Sequence, residues 1–139
     1  MDKKTPQLMH IGIATDNLEE SLAFYERALG LKADKREILR ERGIEVAFLT
    51  LANTTLEIMA PISDTSEISA FLAKRGPGIH HIAIEENALE RRFNQLTTQN
   101  IPLATHTIQI GAGGHKVLFI HPKASKGVLI ELTNKHDAK

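Results

Sequence analysis

The chain has 139 residues, 42% of them hydrophobic and 24% charged, which suits one compact domain large enough to bury a core. Its 17 basic residues are balanced by 17 acidic ones, so the net basic face expected of a nucleic-acid binder is missing. With no cysteine, disulfide scaffolds, thiolate zinc sites and thiol catalysis are excluded, and a metal must be held by His, Asp, Glu or amide oxygen.

The opening residues MDKKTPQLM lack the apolar stretch of a secretory signal, and no apolar run approaches the length of a membrane span, so a cytoplasmic protein without membrane contact is expected. LMHIGIA (8–14) alternates as a strand does. Ile11 and Ile13 share one face, suited to packing under a helix, and His10, Gly12 and Ala14 share the other. Asp16 is placed to cap a helix, with Glu19 three positions on. Leu18, Leu22, Tyr25 and Leu29 then recur at helical intervals until Gly30 ends the run. A weaker strand signal lies near 32–38, followed by the strands GIEVAFLTL (43–51) and TTLEIMAP (54–61), joined by a turn at Asn53. SDTSEISAFLAKRGPG reads as a short capped helix and a Gly/Pro linker.

The second half repeats the first. HIAIEENALERRFNQL again opens with a strand, places Asn87 as a cap with Glu90 three positions on, and carries Leu89, Phe93 and Leu96 at helical spacing. At an offset of 71, His10 matches His81, Ile11 matches Ile82, Ile13 matches Ile84, Leu18 matches Leu89 and Glu19 matches Glu90. A weaker strand near 103–110 precedes HKVLFIHP (115–122) and GVLIELT (127–133), joined by KASK. Each half therefore reads β-α-β-β-β. The expected fold is α+β, a single domain over 1–139. Module one spans about 7–61, a linker helix about 62–78 and module two about 79–134, the pair forming a cupped mixed sheet.

Both modules also end alike, with Glu57 in LEIM and Glu131 in IELT, 74 positions apart. Each half thus offers one histidine on its first strand and one glutamate on its last. A carboxylate buried on a strand is costly unless its charge is compensated, and two together repel. One divalent cation ringed by His10, Glu57, His81 and Glu131 resolves both problems and leaves a neutral site. The other histidines carry no such pattern: His80 points away from His81, His115, His121 and His136 fall in loops or the tail, and His106 lies on the weak strand.

These stretches resemble a known family. HIGIATDNLEESLAFYERALGL and LEIMAP are similar to the vicinal oxygen chelate (glyoxalase/bleomycin resistance/dioxygenase) superfamily. FLAKRGPGIHHIAIE and GAGGHKVLFIHPKASKGVLIEL more closely resemble its methylmalonyl-CoA epimerases. The resemblance implies paired βαβββ modules around one metal, held by the same four residues that the repeat argument reached. It also implies a homodimer, an acyl-CoA substrate, and epimerisation of (R)- and (S)-methylmalonyl-CoA by proton transfer through a metal-stabilised enolate. Four protein ligands leave an octahedral ion two open positions and a tetrahedral ion none. An octahedral ion such as Co²⁺ or Mn²⁺ is therefore favoured, and the resemblance implies Co²⁺ among them, with Mn²⁺, Ni²⁺ and Zn²⁺ as alternatives.

In this chain Glu131 is the expected acid–base residue. Some members carry a second acid–base glutamate where this chain has Val46; Glu45, one position away, faces the other side by alternation. Some also carry glutamine at position 57, so the ionisable Glu57 is the second acid–base candidate. The GAGG loop (111–114) reads either as a lid over substrate or as a plain turn, and Lys116, Lys123 and Lys126 are candidate contacts for CoA phosphates. The rival functions are a glyoxalase I-like lactoylglutathione lyase, a drug-binding resistance protein without catalysis, and a non-haem iron dioxygenase, which would use only two His and one Glu.

Overall fold

The computed structural model describes residues 5–134. Thus His136 and the first residues of the MDKKTPQLM stretch lie outside the described residues. The described residues divide into two compact units, one of residues 10–80 and a second of residues 5–9 together with 81–134.

The first unit contains strand β1 (Leu8–Ala14) from His10 on, helix α1 (Leu18–Leu29), and strands β2 (Lys35–Leu39), β3 (Ile44–Thr50) and β4 (Thr55–Pro61), followed by helix α2 (Glu67–Arg75). The strands lie in the order β2-β3-β4-β1. β1 pairs with β4 in parallel, which sets Gly12 beside Glu57, and the other pairs are antiparallel. A helix serves each face. Ala47, Leu49, Ile58 and Ala60 pack with Ile13 and with Leu18, Leu22 and Tyr25 of α1. Ala14, Ile44, Val46 and Met59 pack with Ile68, Phe71 and Leu72 of α2. Ile13 therefore lies under α1 as the alternation predicts, and the histidine face of β1 runs toward α2.

The cap of α1 is Asn17, not Asp16: Asn17 Oδ1 accepts from Glu20 N at 3.0 Å, and the exposed Asp16 lies before the helix. Pairing of the strand runs on through Thr15, whose N–H donates to Met59 O at 2.8 Å, so the chain turns later. Gly30, at φ 70°, ends the helix with its N–H on Glu26 O at 2.9 Å.

The second unit contains β5 (Gly78–Glu85) from His81 on, α3 (Leu89–Thr98), β6 (Gln109–Ile110), β7 (Lys116–Ile120), α4 (Pro122–Ser125) and β8 (Ile130–Thr133). The order is β5-β8-β7-β6. β5 and β8 are parallel, setting Ala83 beside Glu131, and the remaining pairs are antiparallel. Leu118 and Leu132 pack with Leu89, Phe93 and Leu96 on the α3 side. The opposite face, carrying His81, Ala83, Glu131 and Phe119, is also buried.

Two further local expectations differ from the fold. Asn87 does not cap α3; its amide donates back to Glu85 Oε2 at 3.2 Å, and Glu86 Oε2 accepts from the cap residue Ala88 N at 3.2 Å. The strand near 103–110 shrinks to Gln109–Ile110 plus one bridge from Leu103 to Ile120. Between these, the Phe119 N–H donates to the Thr105 hydroxyl at 3.2 Å rather than to a strand carbonyl. KASK does join the strands, with residues 123–125 in α4 and Lys126 as its left-handed cap; Pro122 sits at the first helical position and His121 Nδ1 accepts from Lys123 N at 3.0 Å. Among the described residues no helix is long and apolar enough to cross a membrane.

Candidate metal-binding and active site

Each unit brings its own histidine and glutamate together. In the first, the parallel pairing of β1 and β4 puts His10 and Glu57 on one face, and His10 Nδ1 lies 3.0 Å from Glu57 Oε2. In the second, the parallel pairing of β5 and β8 does the same, with His81 Nε2 2.9 Å from Glu131 Oε1. His10 and Glu57 are each 8% exposed, His81 is 4% and Glu131 is 6%. Such burial of a carboxylate calls for a compensating positive charge or strong hydrogen-bond donors. Imidazole and carboxylate, with no thiolate, are the donors that hard and borderline divalent ions prefer. Each pair therefore offers donors that fit such a metal.

The neighbours of these pairs are equally regular. Phe48 on β3 stands in register with Glu57, and Phe119 on β7 stands in register with Glu131. The two phenylalanines are 71 positions apart, the same offset as the histidines. Phe119 meets His81 edge-to-face, with ring centroids 5.6 Å apart and planes at 80°. On the first unit the Lys35 ammonium lies 5.4 Å from the centroid of Phe48. In the sequence both rings pass for ordinary core residues, although the offset of 71 marks them.

Val46 and Glu45 fall where alternation puts them. Val46 is 1% exposed, on the Glu57 side of the sheet, packed among Ala14, Met59 and Ile68 under α2. Strand β3 pairs residue for residue with β4 from Ile44 to Thr50 and with β2 from Ile44 to Phe48, so no bulge re-aims Glu45. Glu45 instead accepts from Arg36 Nε at 3.2 Å, and the same guanidinium bonds Glu19 of α1. That bond holds the Glu19 carboxyl below the usual glutamate range and raises the Arg36 guanidinium.

The remaining polar residues singled out by sequence have local duties. His115 Nδ1 contacts Asn134 O at 3.0 Å, His121 caps α4, and His80 meets the Phe71 ring at 4.9 Å. Lys116 Nζ lies 3.4 Å from Glu90 Oε2. The Glu90 carboxyl is held low first by its own backbone N–H and then by Lys116. In the GAGG loop, Ala112–Gly114 forms one tight turn in which Gly113 and Gly114 take φ of 74° and 79°, angles that favour glycine.

Two β-α-β-β-β units, each presenting a buried imidazole–carboxylate pair from its first and last strands, define a glyoxalase-type protein. Residues 9–119 match the Glyoxalase/Bleomycin resistance protein/Dioxygenase superfamily. The chain is 38% identical over 91% of its length to the ethylmalonyl-CoA/methylmalonyl-CoA epimerase of Cereibacter sphaeroides, 96% of which it covers. The crystal structure of methylmalonyl-CoA epimerase from Mycobacterium tuberculosis superposes with a TM-score of 0.86 at 35% identity, covering 94% of this chain and 88% of that one. A variant of the Streptomyces coelicolor methylmalonyl-CoA epimerase in complex with 2-nitronate-propionyl-CoA gives a TM-score of 0.88 at 27% identity, over 96% of each chain. The chain belongs to this superfamily and, within it, to the methylmalonyl-CoA epimerase family.

Proposed function

We propose that the protein epimerises methylmalonyl-CoA at the carbon between its thioester and its carboxylate, and that His10, Glu57, His81 and Glu131 together hold one divalent cation for that reaction. The observation that carries this reading is the duplicated buried pair, His10 with Glu57 and His81 with Glu131. Each pair alone is half of a ligand set. Their equivalence under the repeat, and the match to epimerase structures over nearly the whole chain, support joining them.

When bound, the ion supplies positive charge where negative charge develops on substrate oxygen as the proton leaves. The proton transfers belong to the protein. Epimerisation requires a proton to leave one face of the carbon and a proton to arrive on the other. Glu131 and Glu57, one from each half, are assigned these two roles. A carboxylate has two oxygens, so one can stay engaged while the other exchanges a proton. Val46, buried and apolar, offers no acid–base group at the place where some family members carry glutamate, and Glu45 faces Arg36 on the other side. That leaves Glu57 as the second group. Burial of both carboxylates keeps bulk water from competing for the proton. Co²⁺ is the favoured ion, with Mn²⁺, Ni²⁺ and Zn²⁺ as alternatives; a homodimer in the cytoplasm is the proposed setting.

The test follows (S)-methylmalonyl-CoA in D₂O with Co²⁺ present. Expected are conversion to the (R) epimer and incorporation of deuterium at the α-carbon. A parallel incubation with the methylglyoxal–glutathione hemithioacetal should give no lactoylglutathione. Turnover of the hemithioacetal with none of the CoA ester would replace this reading with the lyase.

A further inference from the structure

We infer that Phe119 is a positioning residue for the second half of the site, its ring fixing the plane of His81 beside Glu131; this rests on the proposal that those two residues hold a metal. Three groups meet within the second unit. His81 Nε2 contacts Glu131 Oε1 at 2.9 Å, Phe119 stands in register with Glu131, and its ring meets the His81 ring edge-to-face at 5.6 Å. The imidazole of a histidine turns easily about its last side-chain bond, whose torsional wells are broad. A ligand needs one orientation. The carboxylate contact fixes one nitrogen, and a ring packed at 80° to the imidazole blocks the rotation that this contact leaves open.

Phe119 is itself well held. Its N–H donates to the Thr105 hydroxyl at 3.2 Å, its carbonyl accepts from Ala104 N at 2.8 Å, and its side chain is 7% exposed. It also keeps water away from the pair, which strengthens the electrostatic hold of a charged ligand on a cation. The repeat supplies independent support: Phe48 occupies the same register position beside Glu57, 71 residues earlier. Two aromatic rings retained beside two buried glutamates point to a duty at the site rather than to general packing. The halves are not equivalent, however. Phe48 is only half-buried and carries the Lys35 ammonium at 5.4 Å over its ring. Phe119 is therefore assigned the stronger effect.

The experiment titrates metal-free wild type, F119L, F119M and F48L with Co²⁺, following the visible absorption bands of the ion, and records the circular dichroism melt of each metal-free protein. Wild type should bind with saturable bands. F119L should fold, bind at least about tenfold more weakly and show shifted bands, since groups supporting metal ligands typically contribute 10- to 100-fold. F119M fills the space without a ring and should show the same loss should F119L fail to fold. F48L should lose less than about threefold, because the stronger effect is assigned to Phe119. Wild-type affinity and bands in F119L or in folded F119M would overturn this inference and leave the metal proposal standing. A loss in F48L as large as that in F119L would overturn the assignment to the second half. Absence of Co²⁺ binding by wild type would overturn the metal proposal and this inference with it.

Discussion

Replacing Glu131 by glutamine changes the charge of the site at almost constant volume. Glu131 is 6% exposed, one of its oxygens lies 2.9 Å from His81 Nε2, and strand register fixes it between Ala83 and Phe119. The amide keeps the shape and the hydrogen-bonding capacity toward His81, so the fold should survive. What it lacks is an anionic oxygen able to take a proton. Loss of a positioned acid–base group typically costs 10²- to 10⁴-fold in rate. At about 1.4 kcal/mol per factor of ten, that is a barrier higher by about 2.8–5.6 kcal/mol. Glu131 is also a proposed ligand, so the variant should be assayed at saturating Co²⁺, which separates lost proton transfer from lost metal. The assay measures kcat for epimerisation together with α-proton exchange in D₂O. Epimerisation should fall by at least about 10²-fold, and α-proton exchange should fall with it for the epimer that Glu131 deprotonates but persist for the epimer that Glu57 deprotonates. Activity within about threefold of wild type, in protein shown to contain metal, would refute the acid–base role of Glu131.

Three further outcomes are expected. E45Q should leave kcat within about twofold, because Glu45 lies with Arg36 on the α1 side of the sheet; a large loss would return Glu45 to the site. Chelation of the metal should lower the melting temperature and abolish epimerisation, and Co²⁺ at about 1,000 times its Kd should restore about 4 kcal/mol of stability, read by thermal unfolding against metal concentration. At Asp34 the Thr50 side chain first, and then the Thr50 N–H 2.8 Å away, hold the carboxyl below its ordinary value. A depressed carboxylate stabilises the fold above its ordinary value and loses that contribution as pH falls through the folded value. The stability difference between wild type and D34N should therefore shrink below about pH 4 and persist at pH 7, as urea unfolding at several pH values would report.

The repeat is what made the site readable in one dimension. A histidine on a strand means little alone, but His10 and His81 recur at an offset of 71 and Glu57 and Glu131 at nearly the same spacing. Strand alternation then put each His and Glu on a common face, and the parallel pairings of β1 with β4 and β5 with β8 closed each pair. The alternation also separated Val46 from Glu45. Helix starts were less readable, because both caps depend on where strand pairing ends. Thr15 prolongs β1 past Asp16, and Asn87 bonds backward to Glu85 instead of forward into α3. The strand expected near 103–110 was mostly lost to a side-chain hydroxyl, Thr105, that takes the hydrogen bond of Phe119. Such a substitution leaves no periodic signal. Phe48 and Phe119 did carry one, but aromatic residues on strands read as ordinary core until the register shows what stands beside them.

The account depends on His10 and His81 serving one ion. Equilibrium Co²⁺ titration of wild type, H10A and H81A, with bound metal counted per chain, tests this most directly. One ion per wild-type chain is predicted, with high-affinity binding lost in both variants. Two ions per wild-type chain, with one retained in each variant, would mean two separate imidazole–carboxylate sites and would contradict the account.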